Sequence, residues 1–302
     1  MPRTTTASSS PRSPAGPPAV PEGARAIDET LQRLGIRPSR RLGQSFLIDP
    51  FAADAEAALV DAPAGHAVVE IGGGLGMLTA ALLRRGIRPL TIVERDGRLV
   101  AFLRSTFGDR IKVDEADAET YPFPAGATVV GNLPFSVATP ILLALFARRT
   151  PRVVAMVQRE VAERLAAGPG SKTYGRLSIV AQLYGEVELL RTVPRSSFYP
   201  VPEVEGRVFV HRARTGPLPV PNVDRFERLV RTLFSSRRKQ LANLFPRLGR
   251  PMSELERLAR EAEWPTDWRR KRPENLPPEA YFRLATALEL GPSSSPPGPS
   301  AE

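Results

Sequence analysis

Apolar positions along this chain follow two rhythms. Short runs rich in β-branched residues occur at Ala67–Ile71, Leu90–Val93, Ile111–Val113, Thr128–Val130 and Val153–Val157, and they read as strands. Stretches of helical period separate them. A glycine turn after Ile71 leads into a helix through Arg85, Gly97–Ser105 and Pro140–Ala147 follow later strands, and Glu160–Ala167 and Arg176–Leu183 follow the fifth. Earlier, Ala26–Leu34 has a helical pattern, and Asp49-Pro50 offers an N-cap and first-turn proline for a helix through Val60. Strand then helix, repeated, predicts an α/β fold: a Rossmann-like, mostly parallel sheet covered on both faces. Glu186–Val193 and Val204–His211 come next with no helix between them, and the second alternates at Val204, Gly206, Val208 and Val210. They are expected to form an antiparallel hairpin that ends the sheet.

From Val223 the period becomes wholly helical, with Phe226, Leu229, Val230, Leu233 and Phe234 on one stripe. The expected organisation is an α/β domain at 25–213 and a small C-terminal helical domain at 214–290. Residues 1–24 and 291–302 are Ser/Pro-rich, have almost no large apolar side chains, and read as disordered tails. Arg3 and Arg12 precede the first acid, Glu22, which faintly resembles an organellar transit peptide. The prolines there oppose the amphipathic helix such a peptide needs, so a plain tail and a cytoplasmic protein are expected.

Composition changes this picture in three ways. Cysteine is absent and the only histidines are His66 and His211, so disulfides, a thiol nucleophile and a histidine-rich metal site are not expected. No apolar run approaches the roughly 18–20 residues that cross a bilayer. The net charge of +10 points to an anionic partner. Only Lys112, Lys172, Lys239 and Lys271 are lysines, so the remaining basic residues are arginine, and a GC-rich genome gives the same bias. Position therefore has to decide. Arg228–Arg250 holds seven basic residues and no acid, and Arg269–Arg272 forms a second cluster beside Trp264 and Trp268. Two clusters in one small domain suit phosphate neutralisation with occasional base stacking on RNA, against the alternative of a solvated basic face.

The candidate chemistry lies at strand ends. Glu70-Ile71-Gly72-Gly73-Gly74-Leu75-Gly76 runs from a strand through a glycine turn into a helix, which serves a nucleotide cofactor or simply a tight βα connection. Glu94 closes the next strand, where a carboxylate can accept ribose hydroxyls. Asp117 follows the third strand, where one can accept an adenine amino group, although each acid alone also fits a solvated loop charge. Glu70 before the turn would repel a pyrophosphate but tolerates a sulfonium and an ammonium, which favours S-adenosylmethionine over NAD. Gly131-Asn132-Leu133-Pro134-Phe135 follows the fourth strand. The Asn132 side-chain oxygen and the Leu133 carbonyl can accept both hydrogens of an adenine amine, Pro134 restricts that carbonyl, and Phe135 offers a stacking face. The plainer alternative is a proline turn with a core phenylalanine.

These motifs, in this order, resemble the KsgA family of ribosomal RNA adenine dimethyltransferases. The resemblance runs from Arg40 to about Glu289. It includes Arg41–Asp49, the EIGGGLG loop, VERD at Val93–Asp96, GNLPF, Met156–Leu165, Gly170–Ser178, Ser197–Val204 and Arg237-Arg238-Lys239. It implies a Rossmann-like methyltransferase fold using S-adenosylmethionine and acting as a monomer. The target would be two adjacent adenines near the 3′ end of small-subunit rRNA, free or in a pre-small-subunit particle. It further implies that Ser45 and Leu47 line the cofactor entrance, Gly72 approaches the methionine part, Glu94 holds the ribose, and Asp117 reads the cofactor's adenine. Asn132 would join cofactor to target amine, and Arg237, Arg238 and Lys239 would meet RNA. The family usually has asparagine at Ser45, proline at Gly73 and tyrosine at Phe135. Two competing readings remain, a large-subunit rRNA adenine methyltransferase conferring macrolide resistance and a non-catalytic ribosome-assembly or transcription factor on the same fold.

Overall fold

The computed structural model describes residues 20–38 and 44–290. The expected tail at 291–302, residues 1–19 of the one at 1–24, and Arg41–Gly43 of the entry motif lie outside the described residues. In chain order the elements are α1 (Gly23–Arg33), β1 (Phe46–Leu47), α2 (Pro50–Ala57), β2 (Val68–Ile71), α3 (Met77–Arg84), β3 (Leu90–Glu94) and α4 (Gly97–Phe107). Then come β4 (Lys112–Glu115), β5 (Thr128–Asn132), α5 (Ala138–Ala147), β6 (Arg152–Gln158), α6 (Arg159–Ala166) and α7 (Arg176–Tyr184). The chain continues through β7 (Gly185–Val193), β8 (Phe198–Tyr199), β9 (Gly206–Ala213), α8 (Val223–Leu233), α9 (Leu241–Leu244), α10 (Met252–Glu261) and α11 (Pro278–Leu290).

Seven strands form one sheet in the order β4-β3-β2-β5-β6-β9-β7. The first five are parallel to their neighbours, while β9 runs antiparallel to both β6 and β7. The expected antiparallel pair is present, but its second strand lies inside, against β6, and its first strand takes the edge. β9 therefore has both faces covered, with Val208, Phe209, Val210 and His211 all buried. A separate two-stranded ladder, β1 with β8, pairs Phe46 with Tyr199 and Leu47 with Phe198. Two residues per strand leave no periodicity to read, which is why sequence patterning passes over it.

β6 shows how the sheet divides the core. Val153, Ala155 and Val157 join one apolar cluster with α5 and α7, whereas Val154 and Met156 join the other with α2, α3 and α4. That is the period of two expected when helices cover both faces. The first cluster continues without a break into Phe226, Leu229, Val230 and Leu233 of α8 and on to α10 and α11. Gly170–Gly175 ties the helical region to the sheet. The Tyr174 hydroxyl donates to the Leu276 carbonyl at 3.0 Å, and Gly170 N–H donates to Glu274 O at 2.7 Å.

Helix boundaries follow local chemistry. Asp49 caps α2 as its spacing suggested, its carboxylate accepting Ala52 N–H at 3.1 Å. α2 stops at Ala57, three residues short of the expected Val60. α1 covers the glycine turn, because Ile27, Leu31 and Ile36 pack with Leu75 and Leu99.

Candidate active site

Strand order reverses between β2 and β5, since β3 and β4 extend one way from β2 and β6 the other way from β5. Open α/β sheets bind ligands in the crevice at the carboxyl ends of such a pair. The two strands approach closely here. A Cβ added at Gly131 would sit 2.4 Å from the Ile71 carbonyl oxygen, so only glycine lets β5 deliver Asn132 to this point.

Two cavities, of about 130 and 660 Å³, meet in the crevice at Gly72, Glu94 and Pro134. The smaller is lined by Ser45, Leu47, Glu70, the glycine turn, Asn132–Phe135 and Phe198, and the larger by Asp96, Asp117, Val137 and Ile141. Every cofactor and catalytic residue expected from the sequence thus borders one or other of these two adjoining cavities. Gly72 and Gly74 have φ of +73° and +53°, a left-handed backbone that penalises side chains, and their N–H groups donate to the Val93 carbonyl at 2.9 Å and the Glu94 carboxylate at 3.2 Å. Gly73 has a different reason: an added Cβ would lie 2.6 Å from Ile92 Cγ2.

Glu94 is buried, and its carboxylate accepts from Arg95 N–H at 2.8 Å, Asp96 N–H at 3.0 Å and Gly74 N–H at 3.2 Å. Burial raises its pKa above the usual carboxylate range against the pull of those three donors. Glu70 is also buried, holds the Thr79 hydroxyl at 2.7 Å, and is pushed up to about 8 by burial and, less strongly, by the Glu94 charge. A carboxyl group this desolvated ionises most readily when a cation lies beside it. Asp117 is half-exposed, with one oxygen on Glu119 N–H at 2.9 Å and the other 3.5 Å from Arg95 Nη1.

Asn132 ends β5. Its Oδ1 is fully buried and has no hydrogen-bond partner among the described residues, an arrangement that costs about 1–3 kcal/mol unless a ligand completes it. Leu133 N–H is used by the Met156 carbonyl at 3.0 Å, which holds the loop against β6. Phe135 faces Phe198, ring centroids 6.3 Å apart and planes at 61°. Phe198 was not singled out by sequence reasoning, although the Ser197–Val204 motif contains it; nothing in the local pattern separates a lining aromatic from a core one. Ser45 donates its hydroxyl to Pro200 O at 2.5 Å and so joins β1 to the segment after β8 rather than pointing its donor at the crevice.

The basic clusters divide on inspection. Arg237 is half-buried and committed within the fold, donating to Glu274 at 2.5 Å and Ser171 O at 2.9 Å. Arg238 and Lys239 are exposed. In the second cluster, Arg269 pairs with Glu256 and Lys271 with Asp267 at 3.1 Å. Trp264 and Trp268 are corrections: both are buried, packed with Phe245, and Trp264 Nε1–H donates to Ala280 O at 2.9 Å, so neither is a stacking platform for RNA. Reversing Arg238 and Lys239 to glutamate is expected to weaken RNA binding and flatten its salt dependence with cofactor binding intact. Reversing Arg237 should additionally lower the melting temperature, because it faces Glu274. Salt-titrated RNA binding alongside thermal melts separates the two effects, and an unchanged salt slope in the double variant would move the docking face elsewhere.

Among the described residues, no group of three or more His, Cys, Asp or Glu is placed to hold a metal ion, and no helix is long and apolar enough to cross a membrane. The family description "Ribosomal RNA adenine dimethylase" matches residues 36–262. A relative from Natronomonas pharaonis, called a probable ribosomal RNA small subunit methyltransferase A, is 40% identical over 268 residues, covering 86% of this chain and 97% of that one. A dimethyladenosine transferase structure from Plasmodium falciparum superimposes with a TM-score of 0.66 at 25% identity, covering 79% of this chain and 95% of that one. The 23S rRNA methyltransferase ErmE gives 0.64 at 25% identity, covering 81% and 99%.

Proposed function

The chain belongs to the ribosomal RNA adenine dimethylase family, and from that premise we propose that it methylates the exocyclic amines of two adjacent adenines near the 3′ end of small-subunit rRNA, using S-adenosylmethionine. The observation that carries the chemistry is Asn132 Oδ1, a buried acceptor with no partner beside the glycine turn. The small-subunit target rests on the 40% identity to small-subunit enzymes.

The residues present fit S-adenosylmethionine. The glycine turn admits a close backbone approach, Glu94 and Asp117 border the larger cavity as acceptors for ribose hydroxyls and an adenine amine, and Glu70 offers its carboxyl where a cation would lie. When bound, the cofactor supplies an electrophilic methyl group on a sulfonium. The protein's own part is positioning. Asn132 Oδ1 and the Leu133 carbonyl accept the two amine hydrogens, which turns the nitrogen lone pair out of conjugation with the ring. Phe135 offers a ring face to the extruded base, with the buried Phe198 packed edge-on behind it, and Ser45 and Leu47 close the crevice from the β1 side. Catalysis by alignment and preorganised acceptors needs no strong base. The helical region at 214–290 serves as the RNA-docking domain.

The test is transfer of labelled methyl from S-adenosylmethionine to small-subunit particles lacking the modification, with large-subunit RNA as competitor. Small-subunit RNA should take the label, and Glu94→Ala should weaken cofactor binding by about 1–3 kcal/mol in calorimetry. Label in large-subunit RNA alone would transfer the assignment to the ErmE-like activity. Absence of cofactor binding would leave the non-catalytic reading.

A further inference from the structure

A third cavity, of about 260 Å³, lies in the helical region between the first turns of α8, the Arg247–Arg250 segment and the end of α11. Four arginines border it: Arg225 and Arg228 one turn apart on α8, and Arg247 and Arg250 from the segment opposite. Three have partners within the protein. Arg225 pairs with Glu289 at 2.8 Å, Arg247 donates to Ser235 Oγ at 2.9 Å, and Arg250 pairs with Glu254. These contacts hold the guanidinium groups in place while leaving donors unused, since each carries five N–H bonds. Arg228 is exposed, and its side chain makes no ion pair or hydrogen bond among the described residues. One acid, Glu289, borders the cavity against four cations. Leu229, Leu248, Ala285 and Leu288 form an apolar floor, and a charge beside such a surface is less screened than one on an open face. The Thr232 side chain, one turn beyond Arg228 on the same face of α8, adds a hydroxyl donor.

We propose that this cavity is a phosphate-binding subsite that takes the RNA backbone at a point separate from Arg238 and Lys239, with Arg228 as its free cation and Arg225, Arg247 and Arg250 as its fixed rim. Planar guanidinium groups converging on a concave surface match phosphodiester oxygens through paired N–H contacts. The apolar floor suits the sugar edge beside the phosphate. The inference rests on the RNA-modifying function proposed above and deepens it: substrate is gripped at two places on the helical region, which fixes its orientation as well as its affinity.

The experiment measures binding of small-subunit rRNA to the full chain from 0.05 to 0.3 M salt for wild type, Arg228→Gln and Arg228→Glu, with Arg283→Ala as a control outside the cavity. Neutralising one phosphate contact should reduce the slope of log affinity against log salt by about 0.7–0.9. Affinity near 0.15 M should fall about tenfold for Arg228→Glu and less for Arg228→Gln, while S-adenosylmethionine binding and the Arg283→Ala control stay at wild type. Unchanged affinity and slope in both Arg228 variants, in a wild-type chain that binds RNA, would overturn the subsite and leave the function standing. Loss of inorganic phosphate or pyrophosphate binding without loss of RNA binding would overturn it too, by making the cavity a small-anion site. A wild-type chain with no salt-dependent RNA affinity would overturn both the subsite and the function on which it rests.

Discussion

Asn132→Ala should lower methyl transfer by on the order of 100-fold or more while leaving the protein as stable as before, or slightly more stable. The two halves of this expectation have one origin. Asn132 Oδ1 is a buried acceptor with no partner, so the folded protein bears its desolvation without a compensating bond. Removing it deletes that cost, and β5 keeps its pairing to β6 through the Asn132 and Met156 backbones. On the proposed function, catalysis loses the acceptor assigned to the target amine. Phe135 contributes differently. Phe135→Tyr keeps the ring face and should be nearly silent, whereas Phe135→Ala should lose roughly 1–3 kcal/mol of base stacking. RNA affinity should survive both Asn132→Ala and Phe135→Tyr, because phosphate contacts dominate it. Single-turnover methyl transfer with parallel melts is the measurement. Full activity in Asn132→Ala, or a large fall in its melting temperature, would refute the assignment of Asn132 as an acceptor held in reserve for substrate.

Much of this site was legible because its residues stand at strand ends, where local pattern and chemistry coincide. A β-branched run, a glycine turn and an acid closing the next strand define neighbouring positions on one sheet edge, so Gly72, Glu94, Asp117 and Asn132 converge by topology alone. What failed to show depends on packing between distant segments. The same run, Val208–His211, suits an edge strand or one covered on both faces, and only the partners show that β9 lies inside β7. Trp264 beside arginines has the composition of a stacking platform, but the Ala280 carbonyl that takes its N–H comes from α11. Arg237 sits in a basic run, and Glu274, which neutralises it, is 37 residues away. Glu56 had a visible signal. With Ala52, Ala53 and Ala57 it falls on the buried stripe of α2, where a carboxyl group is out of place.

That misplaced carboxyl group governs how stability depends on pH. Glu56 is completely buried, neither oxygen has a hydrogen-bond partner among the described residues, and burial, reinforced by the Glu70 charge, pushes its pKa up to about 8. The folded protein therefore keeps a proton that the unfolded chain releases near pH 4.5. Below that pH both states are protonated and nothing is lost; as pH rises towards 8, proton release favours unfolding. Glu56→Gln keeps the shape without the titration, so it should be more stable than wild type by about 1 kcal/mol at pH 5 and about 4 kcal/mol at pH 8. Glu70 titrates in the same sense. His211 opposes both: burial holds it down to about 4, so its contribution is complete above pH 6.5 and is lost as pH falls towards 4. Because His211 is common to both proteins, the difference between variant and wild type reports Glu56 together with its coupling to Glu70. Glu56 borders neither catalytic cavity, so methyl transfer at pH 7 should persist in the variant. Urea unfolding of both proteins from pH 5 to 8 is the measurement. A stability difference that stays constant across that range would mean that Glu56 ionises normally in the fold, and that the α2 face opens to water or supplies it a partner.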